Sequence, residues 1–293
     1  ARRAWRAWRA PPARVPERGM SAPEDRRTDP GAEPATRTLL SARGLTRRFG
    51  GLLAVDDVDL DVPRDTVVGI IGPNGAGKTT LLNLLSGALA SHHGSIVLDG
   101  GDITRSSAAQ RAERGLRRTF QNIRLFTSMT VLENVVVGMH VQTRGWLLGG
   151  ILRWPSVRSA ERTALDRAYD TLQALGLHTK SRAPAGGLSY GDQRRLEIAR
   201  ALASGPCLLL LDEPAAGLNS AEKREAADLI SGLPTRFGLS VVLVEHDMDL
   251  VSRTCSNVTV LEYGRLLCDG PPEQVLTDER VIAAYLGTDE GQP

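Results

Sequence analysis

Eight consecutive residues, Gly72-Pro73-Asn74-Gly75-Ala76-Gly77-Lys78-Thr79, combine backbone freedom with one compact cation and one hydroxyl. The spacing G-x-x-x-x-G-K-[ST] belongs to loops whose amides gather around phosphate groups. Glycine lets the main chain curl until several N–H groups converge on one anion, and a following helix adds the positive end of its dipole. Lys78 is then placed to reach the outer phosphates of a nucleotide, Thr79 to offer its hydroxyl to a magnesium ion, and Thr80 to carry the loop into the helix. The bland alternative is a glycine-rich turn with no ligand. Composition argues against it, because of 36 basic residues only Lys78, Lys180 and Lys223 are lysines. A point charge on a flexible stem suits a phosphate in a tight loop better than a planar guanidinium does.

Two further clusters sit where apolar runs end. Residues 208–211 are all leucine and are followed at once by Asp212, Glu213 and Pro214. Parallel sheets gather their ligands beyond the carboxyl ends of strands, so both acids fall where a phosphate loop needs them. Asp212 is expected to hold magnesium through water, and Glu213 to orient or deprotonate a water attacking the terminal phosphate. The alternative is a solvated acidic turn. The run at 241–244 ends in Glu245-His246-Asp247, which puts His246 on the same edge as a contact to that phosphate, where a lone histidine is otherwise structural. His92, His93, His140 and His178 lack such context and read as surface or packing residues.

These residues function only if a strand feeds the loop and a helix leaves it. Residues 66–71 form a nearly unbroken β-branched run, the pattern of a strand buried on both faces, and 78–85 read as helix. Ahead of them, 38–42 and 55–62 mix polar and apolar residues as half-buried strands do. From about 106 to 203 the pattern is mostly helical, with Ala164, Ala168, Leu172 and Leu175 at helical spacing and turns near 145–155 and 184–187. Short apolar runs at 207–211, 240–244 and 257–261 then alternate with helices, the mark of a parallel α/β sheet.

Composition narrows the function classes. A chain of 293 residues, 41% hydrophobic, is long enough for a substantial core. No stretch approaches the roughly 18 to 20 apolar residues that cross a bilayer. The formal charge of +2 hides an asymmetry: residues 1–19 carry six Arg against Glu17, a local +5, which leaves 2 − 5 = −3 for the remainder. That distribution gives no basic footprint for nucleic acid on the folded part. Cys207, Cys255 and Cys268 lack metal-ligand spacing and are expected as reduced core thiols. Residues 1–37, rich in Arg, Ala and Pro, are expected to be a disordered leader or linker, with Met20 a candidate start, and 288–293 a tail.

Leu188-Ser189-Tyr190-Gly191-Asp192-Gln193 resembles the signature of ABC ATPases, which sets them apart from other phosphate-loop proteins. Read alone it is a helix cap. In that family, Ser189 and Gly191 at a helix start would face the γ-phosphate bound by a second subunit. Phe49 resembles the aromatic residue that stacks on adenine, with core packing as its alternative, and Gln121 resembles the glutamine that senses magnesium and the attacking water. Asn219 stands where many relatives carry Asp, which removes a charge but keeps hydrogen bonding. The resemblance implies an α/β P-loop NTPase over 38–287: a RecA-like parallel core, an N-terminal antiparallel β subdomain and a helical subdomain inserted at about 122–204.

Within the superfamily, Arg47-Arg48-Phe49-Gly50-Gly51, Glu245-His246-Asp247-Met248 and Ala284-Tyr285-Leu286-Gly287 look like the ATPases of branched-chain amino acid importers. The apolar segment 145–155 is similar to an insertion in that subfamily. The resemblance implies two such ATPase subunits, identical or paired with a relative, sandwiching two ATP molecules with Mg²⁺ at the cytoplasmic face of the membrane. It also implies permease subunits docking on residues 122–133, where Leu125, Phe126 and Met129 form an exposed stripe or a buried one, and indirectly a solute-binding protein. Importers of urea, amides or other amino acids are the alternatives, followed by a non-transport ABC ATPase and a nucleotide-binding scaffold without turnover.

Overall fold

The computed structural model describes residues 38–119, 121, 123–139 and 155–286. The expected leader at 1–37, the apolar side chains at 146–154 and the tail at 288–293 lie outside them.

The chain opens with two long strands, β1 (Thr38–Phe49) and β2 (Leu52–Pro63), paired antiparallel. Strand β3 (Val67–Ile71) is buried throughout and runs through the glycine loop into helix α1 (Lys78–Ser86). Strands β4 (His93–Leu98) and β5 (Gly101–Asp102) complete a four-stranded sheet in the order β2-β1-β4-β5. After α2 (Ala108–Glu113) and β6 (Leu116–Arg118) come helices α3 (Val131–Gly138), α4 (Pro155–Ala174) and α5 (Tyr190–Leu202). The chain then alternates: β7 (Leu208–Asp212), α6 (Ser220–Phe237), β8 (Ser240–Val244), α7 (Met248–Thr254), β9 (Asn257–Glu262), β10 (Arg265–Gly270), α8 (Pro272–Val275) and α9 (Glu279–Leu286). Among the described residues the second sheet has the order β10-β9-β3-β8-β7-β6, parallel except for the β10–β9 hairpin.

Side chains alternate across a strand, so continuously apolar strands must be covered twice. On one face Val68, Ile70, Leu208, Leu210, Val242 and Val244 pack with α1 and the antiparallel sheet. On the other, Val67, Ile71, Leu209, Leu211, Val241 and Leu243 pack with α3 through α7. Ala168, Leu172 and Leu175, expected from their helical spacing, belong to this second cluster.

Two expectations need correction. The mostly helical stretch from 106 contains β6, which pairs in parallel with β7; three residues, two of them Arg, give too little alternation to show as a strand. Strands β4 and β10, each six residues long and only half apolar, carried no expectation in the sequence. Of the cysteines only Cys255 is buried, while Cys207 and Cys268 are half-buried at the edges of the core, and none forms a disulfide.

Arg111, on the six-residue α2, is only 2% exposed. Its guanidinium donates to the carbonyls of Leu84 (2.6 Å) and Leu85 (2.8 Å), and to those of Ser106 and Thr104, each at 3.0 Å. The last carbonyls of α1 have no partner within the helix, and a cation there also complements the dipole. One end of α1 is thus pinned while the other faces the loop. Arg111→Met removes four bonds to carbonyls around the end of α1 and is expected to lower stability by about 3 kcal/mol. Urea unfolding checks this; an unchanged midpoint would show that Arg111 does not secure α1.

Candidate functional site

The loop begins where β3 leaves the sheet, and its first glycine is fixed by close packing. Gly72 has φ of +146°, and a Cβ there would stand 2.1 Å from the Leu261 carbonyl oxygen; at Gly77, φ of +100°, it would stand 2.4 Å from that of Ala54. No other residue type fits these approaches. Gly77 precedes α1 without a side-chain cap and without an acid in the first turn, which leaves the first amides of the helix pointed into the cleft. Lys78 curls back over the loop, its Nζ donating to the carbonyl oxygens of Gly72 (2.6 Å) and Pro73 (2.8 Å). Burial pulls its ammonium below the ordinary lysine value, partly opposed by Glu213.

A cleft of about 390 Å³ opens over this loop. Asn74 to Thr80 line its floor, including Gly75, Ala76 and Thr79, and Glu213 and His246 close one end. Phe49, Leu52, Ala54 and Tyr263 line the other side. Phe49 is 46% exposed, so core packing does not account for it, and the Arg47 guanidinium lies 5.0 Å from its ring centre.

The acids emerge together but are held differently. Asp212, 4% exposed, accepts a 2.8 Å bond from Arg118, which also donates to Asn83 of α1 at 2.5 Å. Glu213 takes a left-handed backbone, φ of +48°, as its amide donates to the Val244 carbonyl. A non-glycine residue held there is strained, and the turn swings the carboxylate out of the sheet edge into the cleft. Its Oε1 lies 3.0 Å from His246 Nε2 and its Oε2 accepts from Gln121 Nε2 at 2.9 Å. Glu245, buried beside them, accepts from the amides of Ala215 and His246. Burial pushes its carboxyl above the usual range, against the pull of those amides.

Most predicted residues therefore converge: Phe49, the loop from Gly72 to Thr80, Gln121, Asp212, Glu213 and His246. Ser189 and Gly191 do not line this cleft. They lie at the start of α5, where Ser189 Oγ accepts from the Asp192 amide at 3.2 Å. Asn219 caps α6, accepting from the amides of Ala221 and Glu222, which gives its side chain a structural task that Asp shares. Sequence reasoning missed Arg118 and Arg194. The latter, 5% exposed, donates from α5 to the Gln121 carbonyl (2.6 Å) and to Tyr190 Oη (3.0 Å). An arginine in an arginine-rich chain carries no local sign of burial.

Comparison with known proteins settles what this constellation belongs to. Residues 55–216 match the ABC transporter family model, more than half of the chain, and 265–291 match the model described as branched-chain amino acid ATP-binding cassette transporter. The chain belongs to the ABC transporter family. The high-affinity branched-chain amino acid transport ATP-binding protein LivG of Escherichia coli is 46% identical over 249 residues, 85% of this chain and 98% of that protein. BraF of Pseudomonas aeruginosa, of the same description, is 45% identical over 86% of this chain and 99% of its own. The ADP conformation of MJ1267, an ATP-binding cassette of an ABC transporter, superposes with a TM-score of 0.76 at 30% identity, over 86% of this chain and all of that one. The ABC cassette fold expected from the motifs is the one observed, its parallel core carrying the loop and its antiparallel sheet carrying Phe49.

In this cassette the exposed Phe49 ring offers a stacking face at the rim. Phe49→Ala is expected to weaken ATP binding by about 1–3 kcal/mol, the loss of one stacked base. Equilibrium titration with a fluorescent ATP analogue measures it, and unchanged affinity would remove Phe49 from the site.

Proposed function

We propose that this chain is the ATP-hydrolysing subunit of an ABC importer for branched-chain amino acids. The observation that carries the proposal is the pairing of two features: similarity to LivG and BraF over nearly the whole length of those proteins, and one cleft that joins an uncapped phosphate loop to a braced Glu213.

The chemistry follows from the geometry. Loop amides from Asn74 to Thr80 and the α1 dipole receive the β- and γ-phosphates, Lys78 turns from its carbonyls to meet them, and Phe49 supports the base. Glu213 orients a water toward the γ-phosphorus and accepts its proton at a carboxylate oxygen, while the bond to the β–γ bridging oxygen breaks to release ADP and phosphate. With the proton on Nε2, His246 donates to Glu213 Oε1, and Gln121 donates to Oε2, so the base is aimed from both sides. The donor set fits magnesium: the Thr79 hydroxyl and the Gln121 amide are hard oxygen ligands, and the Asp212 carboxylate, oriented by Arg118, would hold the ion through water. Bound there, magnesium would neutralise charge on the β- and γ-phosphates.

The N-terminus of α5, with Ser189 and Gly191, lies outside its own cleft and would close the ATP site of a second ATPase subunit, identical or related. ATP then holds the dimer by touching both halves, and loss of the γ-phosphate releases it. The same reading puts the 38–287 unit at the cytoplasmic face of the membrane, peripheral to permease subunits and indirectly served by a solute-binding protein. Phe126 and Met129, 47% and 36% exposed just past Gln121, supply the apolar stripe for permease contact; no described helix is long and apolar enough to cross a membrane.

Glu213→Gln is expected to keep ATP binding, cut hydrolysis by about a hundredfold or more, and accumulate an ATP-dependent dimer on size-exclusion chromatography. Turnover at the unaltered rate would refute the role of Glu213. Uptake of labelled leucine by cells carrying the variant, against uptake of labelled urea, separates the proposed cargo from the alternatives.

A further inference from the structure

The last helix, α9, returns to the nucleotide loop from inside the molecule. Val281 and Ala284 are buried against the core, whereas Ile282 and Leu286 are exposed. Tyr285 lies between these faces and packs on the larger core cluster. Its hydroxyl accepts the Gly72 N–H at 2.7 Å, across 213 positions of sequence. Burial pushes the phenol up to about 12, with the Gly72 bond opposing, so the hydroxyl is neutral at any physiological pH.

Gly72 is therefore gripped at three points. Its N–H is held by Tyr285, its carbonyl accepts from Lys78 Nζ at 2.6 Å, and its Cα is pressed against the Leu261 carbonyl. The Lys78 bond is the one that nucleotide binding disturbs, since the same ammonium must turn to a phosphate. The Tyr285 bond then carries more of the task of holding the first peptide of the loop. A buried N–H that loses its acceptor seeks another, and the peptide can find one only by tipping. A tipped Gly72 peptide changes the direction in which the following amides point, and ATP affinity falls by the fraction of molecules whose loop is no longer aligned.

We propose that Tyr285 is a positioning residue of the nucleotide site: α9 fixes the base of the phosphate loop through one hydroxyl. The inference rests on the reading of the cleft as an ATP site and adds to it a task for the C-terminal segment. Tyr285→Phe keeps the ring and its packing and deletes the hydroxyl that accepts from Gly72. With the purified full chain, MgATP titration and steady-state kinetics are expected to show Kd and KM raised roughly three- to tenfold, and kcat at saturating ATP within about twofold of the unaltered value. Ile282→Ala, on the exposed face of the same helix, is expected to leave both constants unchanged. If Tyr285→Phe merely loosened the fold, an inactive fraction would lower kcat and leave KM alone, and that result would overturn the inference. Unaltered Kd and KM in Tyr285→Phe would overturn it as well, while the ATP reading stands. Failure of the unaltered chain to bind MgATP would bring down both.

Discussion

A main chain that aims several amides at one anion repels itself, because parallel N–H dipoles crowd together, and it must be held in that shape by contacts from outside. Residues 72–80 meet this demand at every turn. Leu261 and Ala54 carbonyls press so close to Gly72 and Gly77 that only glycine fits. Lys78 ties two carbonyls of the loop together. At the far end of α1, Arg111 collects the final carbonyls. The two sheets and their helices serve largely to bring these clamps to one place, and the cleft exists because the clamps lie behind the loop and not in front of it.

Three carboxylates reach the same edge of the central sheet, and their environments divide the labour. Asp212 is neutralised by Arg118 within the protein. Glu245 is buried and satisfied by backbone amides, an arrangement that supports the turn at Ala215 and the main chain of His246. Glu213 alone of the three lines the cleft, carried there by a left-handed backbone that costs energy and is retained by its amide bond to β8. Strain at this one residue sets the direction of the base, and His246 and Gln121 prevent it from swinging.

Several elements make contact around the cleft. Arg194 joins the start of α5 to the backbone of Gln121, whose side chain touches Glu213. Phe126 and Met129 follow Gln121 closely in the chain and are exposed. An apolar partner seated there would act on the same short segment. From the opposite side α9 touches Gly72. The helical region thus touches Glu213 through Gln121, and α9 touches the loop through Tyr285.

The loop motif, the buried strands at 67–71, 208–212 and 240–244, and the acid and histidine that follow them were legible in the sequence because each depends on local rules: glycine's conformational range, the twofold period of strands, and the position of polar residues where apolar runs stop. Family motifs extended that reading to Phe49, Gln121, Ser189 and Gly191. Strand β6 was hidden because it is three residues long and two of them are Arg. Arg111, Arg118 and Arg194 were hidden because burial of a charge depends on partners far away in sequence. The amino-acid order by itself determined where the glycine loop, the acids and the histidine stand relative to the strands that precede them. Only tertiary structure decided how these groups are aimed, because aim comes from contacts such as Tyr285 to Gly72 and Arg118 to Asp212, which exist once the sheet has brought distant segments together.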